Sequence, residues 1–225
     1  MTPKNRTHQI FITGGSGYMG RSLIPRLLQR GHEVRALVRA GSEQKLPAGC
    51  TPVLGNALEP GSFMDHVRPS DTFVHLVGVS HPNPSKAGQF RTIDLASVQA
   101  AVPAAKAGGI QHFVYVSVAQ PAPVMQAYIQ TRAECEALIR ASGLPATFIR
   151  PWYVLGPGHR WPYLLLPMYW LFEHLPGTRN TALRLGLVTL EQMVNTLAWA
   201  VENPSQSIRI IEVPEIRQKK RRSHD

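Results

Sequence analysis

HQIFITGGSGYMGRSLIPRLLQRGH, residues 8–32, decides the fold. HQIFI, residues 8–12, is short, apolar and rich in β-branched and aromatic residues, which predicts a strand. RSLIPRLLQRGH follows with Leu23, Ile24, Leu27 and Leu28 on one side, the spacing of a helix. Between the two lies TGGSGYMG, Thr13 to Gly20, with its glycines spaced G-x-x-G-x-x-G at Gly14, Gly17 and Gly20. Pro25 does not fit an ideal helix and predicts a kink or a late helix start.

Each glycine has a physical task in a strand–turn–helix setting. Gly14 allows the tight turn out of the strand, Gly17 lets a pyrophosphate approach the backbone, and Gly20 lets the helix pack closely on a sheet. The free N–H groups at the helix start, aided by the helix dipole, then face an anion. A glycine-rich turn alone is a weak signal. The preceding strand and the following helix make it a dinucleotide-binding turn.

The rest of the chain continues the alternation. HEVRALVR opens a second strand at about 33–38, and TPVLGNAL, 51–58, is a short third strand with its loop. EPGSFMDHV predicts a weak helix, and DTFVHLVGVS, 71–80, a buried strand in which His75 reads as a packed core histidine. SHPNPSKAGQ, 80–89, is rich in turn formers and belongs at the mouth of the site, above the strand ends. Residues 91–107 carry a helix pattern interrupted by Pro103 and stopped by Gly108-Gly109. IQHFVYVSVA, 110–119, is another buried strand, 125–142 a helix, and PATFIRP, 145–151, a sixth strand. Strand and helix alternating in this way predict an α/β fold: a Rossmann-type doubly wound parallel sheet, order 3-2-1-4-5-6, with IRIIEVP, 208–214, added at the edge. A helix in TLEQMVNTLAWAVENP opens with Thr189 and Gln192 in a capping box.

The second strand ends at Arg39, where a dinucleotide fold reads the adenosine ribose. An acidic residue there would hold the 2′-hydroxyl of NAD(H), whereas an arginine accommodates the 2′-phosphate, so the expected cofactor is NADP(H).

The chain of 225 residues suffices for one domain, expected over 1–215, with 152–207 as an abbreviated lid. MTPKNRTHQ is polar and leads straight into the first strand, so no signal peptide is visible, and no run reaches the apolar length of a membrane span. A cytoplasmic protein is the expectation. Cys50 and Cys135 show no metal spacing and read as free thiols. The formal net charge is +10, but residues 216–225 hold five Lys/Arg against one Asp and contribute +4 of it; they read as a solvated, disordered tail, and nucleic-acid binding rests on them alone. The stretch 161–175 is dense in aromatic residues and carries one carboxylate, Glu173. It reads as lid core, as the wall of an apolar substrate pocket, or as a partner surface.

Taken together, TGGSGYMG (13–20), ALVR (36–39), AAKAGGIQHFVYVSV (104–118), YIQTR (128–132) and IRPWYVLGPG (149–158) resemble the short-chain dehydrogenase/reductase superfamily in its extended and atypical branch. That branch includes nucleotide-sugar epimerases, NmrA-like regulators and the NADPH-binding subunit of respiratory complex I. The resemblance covers roughly residues 9–213 and does not name a substrate. It implies cofactor contacts from Gly14, Ser16, Gly17, Tyr18, Met19 and Gly20 in the turn, and from Arg39, Asn56, Ala57, Val77 and Gly78 at the following strand ends. Arg132, Pro151 and Tyr153 would complete them beside the nicotinamide. It also implies Tyr128 as the proton-transferring residue, Ser117 as its partner, and a cation four residues beyond the tyrosine that lowers its pKa. Here that cation is Arg132 where the family has lysine, a fork of different shape that does not give up a proton. The sequence leaves two readings open: an oxidoreductase or epimerase/dehydratase on a small, partly apolar substrate, or a cofactor-binding regulatory or assembly module with weak catalysis.

Overall fold

A computed structural model describes residues 6–157 and 183–218. Its centre is a seven-stranded sheet in the order β3-β2-β1-β4-β5-β6-β9, with every neighbouring pair parallel. The strands are β1 (Gln9–Thr13), β2 (Glu33–Val38), β3 (Thr51–Leu54), β4 (Thr72–His75), β5 (His112–Val116), β6 (Ala146–Arg150) and β9 (Ile208–Glu212). Two short strands, β7 (Tyr153–Leu155) and β8 (Leu187–Thr189), form a separate parallel pair. The α-helices are α1 (Gly20–Gln29), α2 (Ala87–Gln89), α3 (Ala96–Gly108), α4 (Gln126–Ala141), α5 (Leu190–Glu202) and α6 (Val213–Gln218).

Alternation along the strands divides the core into two layers. Ile10, Ile12, Val34, Ala36, Val74 and Val114 face one side, where Leu23, Ile24 and Leu27 of α1 and Met193, Val194 and Leu197 of α5 cover them. Phe11, Leu37, Phe73, Phe113, Tyr115 and Phe148 face the other, against α3 and α4. Both faces are therefore apolar and both are covered by helices, which is why the strands read as continuous hydrophobic runs. The order crosses over between β1 and β4, and the carboxyl ends of those two strands open a crevice there.

Five expectations are corrected in whole or in part. Pro103 does not interrupt its helix: α3 runs from Ala96 to Gly108, because its alanine face (Ala100, Ala101, Ala104, Ala105) is buried on the sheet, and packing outweighs one lost backbone hydrogen bond. Gly109 then ends it in the left-handed region at φ +75°. Of the two alternatives expected at Pro25, a kink or a late start, the late start is excluded: the first helix starts at Gly20 with Pro25 inside it. EPGSFMDHV forms two 3₁₀ turns, Pro60–Ser62 and Met64–His66, rather than a helix. The segment expected as lid includes α5, which is part of the sheet's own cover, and 216–218 of the expected tail belong to α6, with Ile216 buried and the Arg217 Nε donating to the Leu187 carbonyl at 3.0 Å. Residues 219–225 and the aromatic stretch 161–175 lie outside the described residues. Among the described residues no helix is long and apolar enough to cross a membrane.

Candidate active site

The site starts at the turn between β1 and α1. Gly14 sits at φ +78°, and a Cβ there would come within 2.9 Å of the Leu76 carbonyl carbon. The Gly17 N–H donates to the Gly14 carbonyl at 3.0 Å and closes the turn. A Cβ on Gly20 would press into the Gly15 carbonyl and reach 2.6 Å from Gly14 O, so helix and turn meet backbone to backbone. Gly17 differs. It is exposed, and a Cβ would meet only Gly14 O at 3.1 Å, so the space before it is open. No acidic residue stands in the first turn of α1. This is a cradle for an anion: open backbone, positive helix end and no opposing carboxylate.

A cleft of about 610 Å³ runs from this turn across the ends of β4 and β5. It brings together Gly14, Gly17, Tyr18 and Met19 from the turn with Val77 and Gly78 after β4. Ser117 follows β5, Tyr128 and Arg132 reach in from α4, and Pro151 and Tyr153 follow β6. Ser16 and Gly20 do not line it, and Gly20 serves packing instead. Arg39, Asn56 and Ala57 follow the neighbouring strands β2 and β3 along the same edge, outside the described lining. Arg39 is exposed. The side chain of Asn56 turns back on its own loop, donating to Glu59 Oε1 at 2.8 Å and accepting from Leu58 N–H at 3.1 Å.

Tyr128 is half-buried on α4, its ring 5.0 Å from that of Phe90 and 5.1 Å from the guanidinium carbon of Arg132. Burial pushes its phenol above the usual value; Arg132 pulls the other way and is outweighed. The expected lowering is thus present as a force and absent as a net result. Arg132 is itself only 6 % exposed and heavily committed. Its Nη2 lies 2.5 Å from Asp94 Oδ1, and its Nη1 donates to Tyr115 Oη at 3.0 Å and to the Val116 carbonyl at 2.9 Å. Asp94 in turn accepts the Val79 N–H at 3.0 Å on Oδ2, and burial raises its carboxyl against the pull of Arg132.

Ser117 is also engaged. Its hydroxyl donates to Glu136 Oε1 at 2.7 Å, a buried carboxylate that also takes Arg150 through Nε at 2.9 Å and Nη2 at 2.6 Å. The serine proton therefore points away from the cleft, and its lone pairs are what it can offer there. His75 is a core residue. Ser97 Oγ donates to the Asp94 carbonyl, so His75 Nε2 donates to Ser97 and Nδ1 accepts from Thr13 at 2.8 Å. Burial holds its pKa down to about 3, and the ring is neutral.

Asp94 and Glu136, which hold Arg132 and Ser117, were not singled out from the sequence. Asp94 left one trace: an acid between Ile93 and Leu95 in a helix pattern otherwise rich in apolar residues. It lies in a π-helical stretch, Phe90–Leu95, a geometry often found beside functional sites.

The family model described as NAD(P)H-binding matches residues 14–159, from the glycine turn to the end of β7 and just beyond. The chain belongs to this NAD(P)H-binding family. Its fold is of the Rossmann type. A 4-hydroxy-2-methyl-3-oxo-4-farnesyl-3,4-dihydroquinoline-1-oxide ketoreductase of Stigmatella aurantiaca is 29% identical over 65% of this chain and 50% of its own length. The ceramide reductase of Caulobacter vibrioides is 26% identical over 66% of this chain and 47% of its own. The chain therefore spans about half the length of these curated relatives. The photosystem II assembly factor Ycf39 of Cyanophora paradoxa is 26% identical over 63% of this chain and 44% of its own. Among solved structures, the Bordetella bronchiseptica enzyme WbmH in complex with NAD+ superposes with a TM-score of 0.68 at 20% identity, covering 90% of this chain and 75% of that one. The family's nicotinamide cofactor fits the observed cradle at Gly17.

Proposed function

We propose that this protein binds NADP(H) and reduces a carbonyl group on a small, partly apolar organic substrate. The carrying observation is that the glycine turn and the Tyr128 phenol share one cleft. Gly14, Gly17, Tyr18 and Met19 would form the pyrophosphate cradle, with Val77, Gly78, Pro151 and Tyr153 beside the nicotinamide end. Arg39 supports NADP(H) over NAD(H): it is exposed at the end of β2, and among the described residues no ion pair engages it, so its fork can meet a 2′-phosphate. When bound, the nicotinamide supplies the hydride. Tyr128 Oη gives its proton to the carbonyl oxygen. A phenol raised by burial stays protonated at neutral pH, which suits an acid in the reductive direction. Ser117 Oγ, its proton held by Glu136, contributes only as an acceptor. Arg132 holds the strand ends and the ring of Tyr128 in place, and both its terminal nitrogens are spent on Asp94, Tyr115 and Val116 rather than on the ribose. The two relatives named as reductases support a carbonyl substrate.

The test is NADPH oxidation against a panel of ketones, aldehydes and quinones. Tyr128→Phe should slow turnover roughly 10²–10⁴-fold and leave NADPH affinity nearly intact. Robust turnover that survives this substitution refutes the mechanism. A second reading, a cofactor-binding module without turnover, draws on the commitment of Arg132 to Asp94 and on the relative named as an assembly factor. On that reading Tyr128→Phe changes nothing measurable.

A further inference from the structure

Arg132 is the only Lys, Arg, Asp or Glu among the described residues that line the cleft. Its charge is met before any ligand arrives. The Asp94 side chain is fully buried behind it, with Oδ1 2.5 Å from Nη2, and the other arm of the fork is spent on Tyr115 Oη and the Val116 carbonyl. The guanidinium also lies against Gly78, in the space that a Cβ there would need. It is a fixed, neutralised group rather than a mobile cation. Around it the described wall carries the apolar side chains of Val77, Val79, Val118, Met125, Trp152 and Val154, with the uncharged or weakly basic Ser80, His81 and Asn83 beside them.

A carboxylate or phosphate on a substrate would have to leave water for this wall and would find no uncompensated lysine or arginine among the described lining residues to receive it. Burying an ion without a partner is strongly unfavourable. An uncharged apolar body gains from the same wall in proportion to the area it covers.

Resting on the reading of the cleft as a carbonyl reductase site, we infer that its substrate end selects an uncharged, apolar carbonyl compound, and that Asp94 sets this selection by neutralising Arg132. Asp94 touches neither substrate nor cofactor; it acts through the arginine, as a positioning residue. Without its charge, the same arginine becomes an anion receptor.

The experiment is calorimetric titration of two matched probes into protein saturated with NADP+, a complex that cannot turn over. 4-Phenyl-2-butanone carries a methyl group where 2-oxo-4-phenylbutanoate carries a carboxylate. Wild type should prefer the neutral ketone by roughly tenfold or more, the scale of one poorly compensated charge. Asp94→Asn should remove or invert that preference, and Asp94→Glu should keep it. A wild type that binds the anion as well or better, an Asp94→Asn ratio equal to the wild-type ratio, or no binding of either probe overturns the inference. Should Asp94→Asn not fold, the wild-type ratio decides alone. Titration with NADP+ in the first step separates the failures. Protein that binds no cofactor refutes the reductase reading and this inference with it, whereas protein that binds cofactor but prefers the anion refutes this inference only.

Discussion

Gly17 and Gly20 stand in one turn, yet substitutions at them should fail in different ways. A Cβ on Gly20 would press into the Gly15 carbonyl and lie 2.6 Å from Gly14 O. Those are backbone atoms of the turn itself, so neither can move aside without opening it. Overpacking of this kind costs about 1–3 kcal/mol, and the better helix propensity of alanine returns at most about 1 kcal/mol of that. Gly20→Ala should therefore lower unfolding stability by about 1–2 kcal/mol and distort the cradle. A Cβ on Gly17 meets the same Gly14 O only at 3.1 Å, a tight contact that a shift of a few tenths of an ångström relieves, and its φ lies outside the left-handed region. Gly17→Val should fold with nearly wild-type stability and fail to bind either NADPH or NADH, because the side chain enters the space before the turn. Urea denaturation followed by tryptophan fluorescence, paired with cofactor titration, separates the two effects. The reasoning is refuted if Gly17→Val binds NADPH like wild type, or if Gly20→Ala is as stable as wild type.

Acid should destabilise the fold through two core histidines. Burial holds His75 at about 3 and His112 at about 4, both below the 6.5 of an ordinary imidazole, so the unfolded chain takes up their protons first. Their contribution is intact above about pH 6.5 and is lost as pH falls through the window down to each folded value; at pH 5 each should cost about 2 kcal/mol. Chemical denaturation at pH 7.5 and pH 5 checks this, and equal stability at the two would contradict it. At the start of α5, Thr189 Oγ1 accepts the Gln192 N–H at 3.1 Å while Gln192 Oε1 accepts the Thr189 N–H at 2.8 Å. Thr189→Ala should cost about 1 kcal/mol in the same assay, and no loss would mean the cap contributes nothing.

The sheet was legible because its signals are local. Runs such as IFI, FVH and FVYV are apolar on both faces, which only a sheet covered on both sides requires, and the glycine turn fixed where the crossover lies. Pro103 misled because propensity is a local quantity, whereas α3 is held by an alanine face packed on the sheet. Ile216 and Arg217 look like tail because a basic run dominates that sequence; Ile216 is buried in the core, and Arg217 is held by β8 and α5, far away along the chain. The site was legible in its positions and less so in its electrostatics. Tyr128, Arg132 and Ser117 all reach the cleft, but the compensation of the Arg132 charge depends on Asp94, and the direction of the Ser117 hydroxyl depends on Glu136. Both partners lie on other elements or turns, and no spacing rule links them to the residues they hold.

The measurement closest to the central claim is calorimetric titration of NADPH and NADH into wild type and Arg39→Ala. The cradle at Gly17 and the exposed arginine at the end of β2 call for NADPH to bind more tightly than NADH. Arg39→Ala should weaken NADPH and leave NADH nearly unchanged. Equal affinities in wild type, or a preference untouched by Arg39→Ala, would contradict the NADP(H) assignment. Absence of binding by both nucleotides would contradict the account of the cleft as a whole.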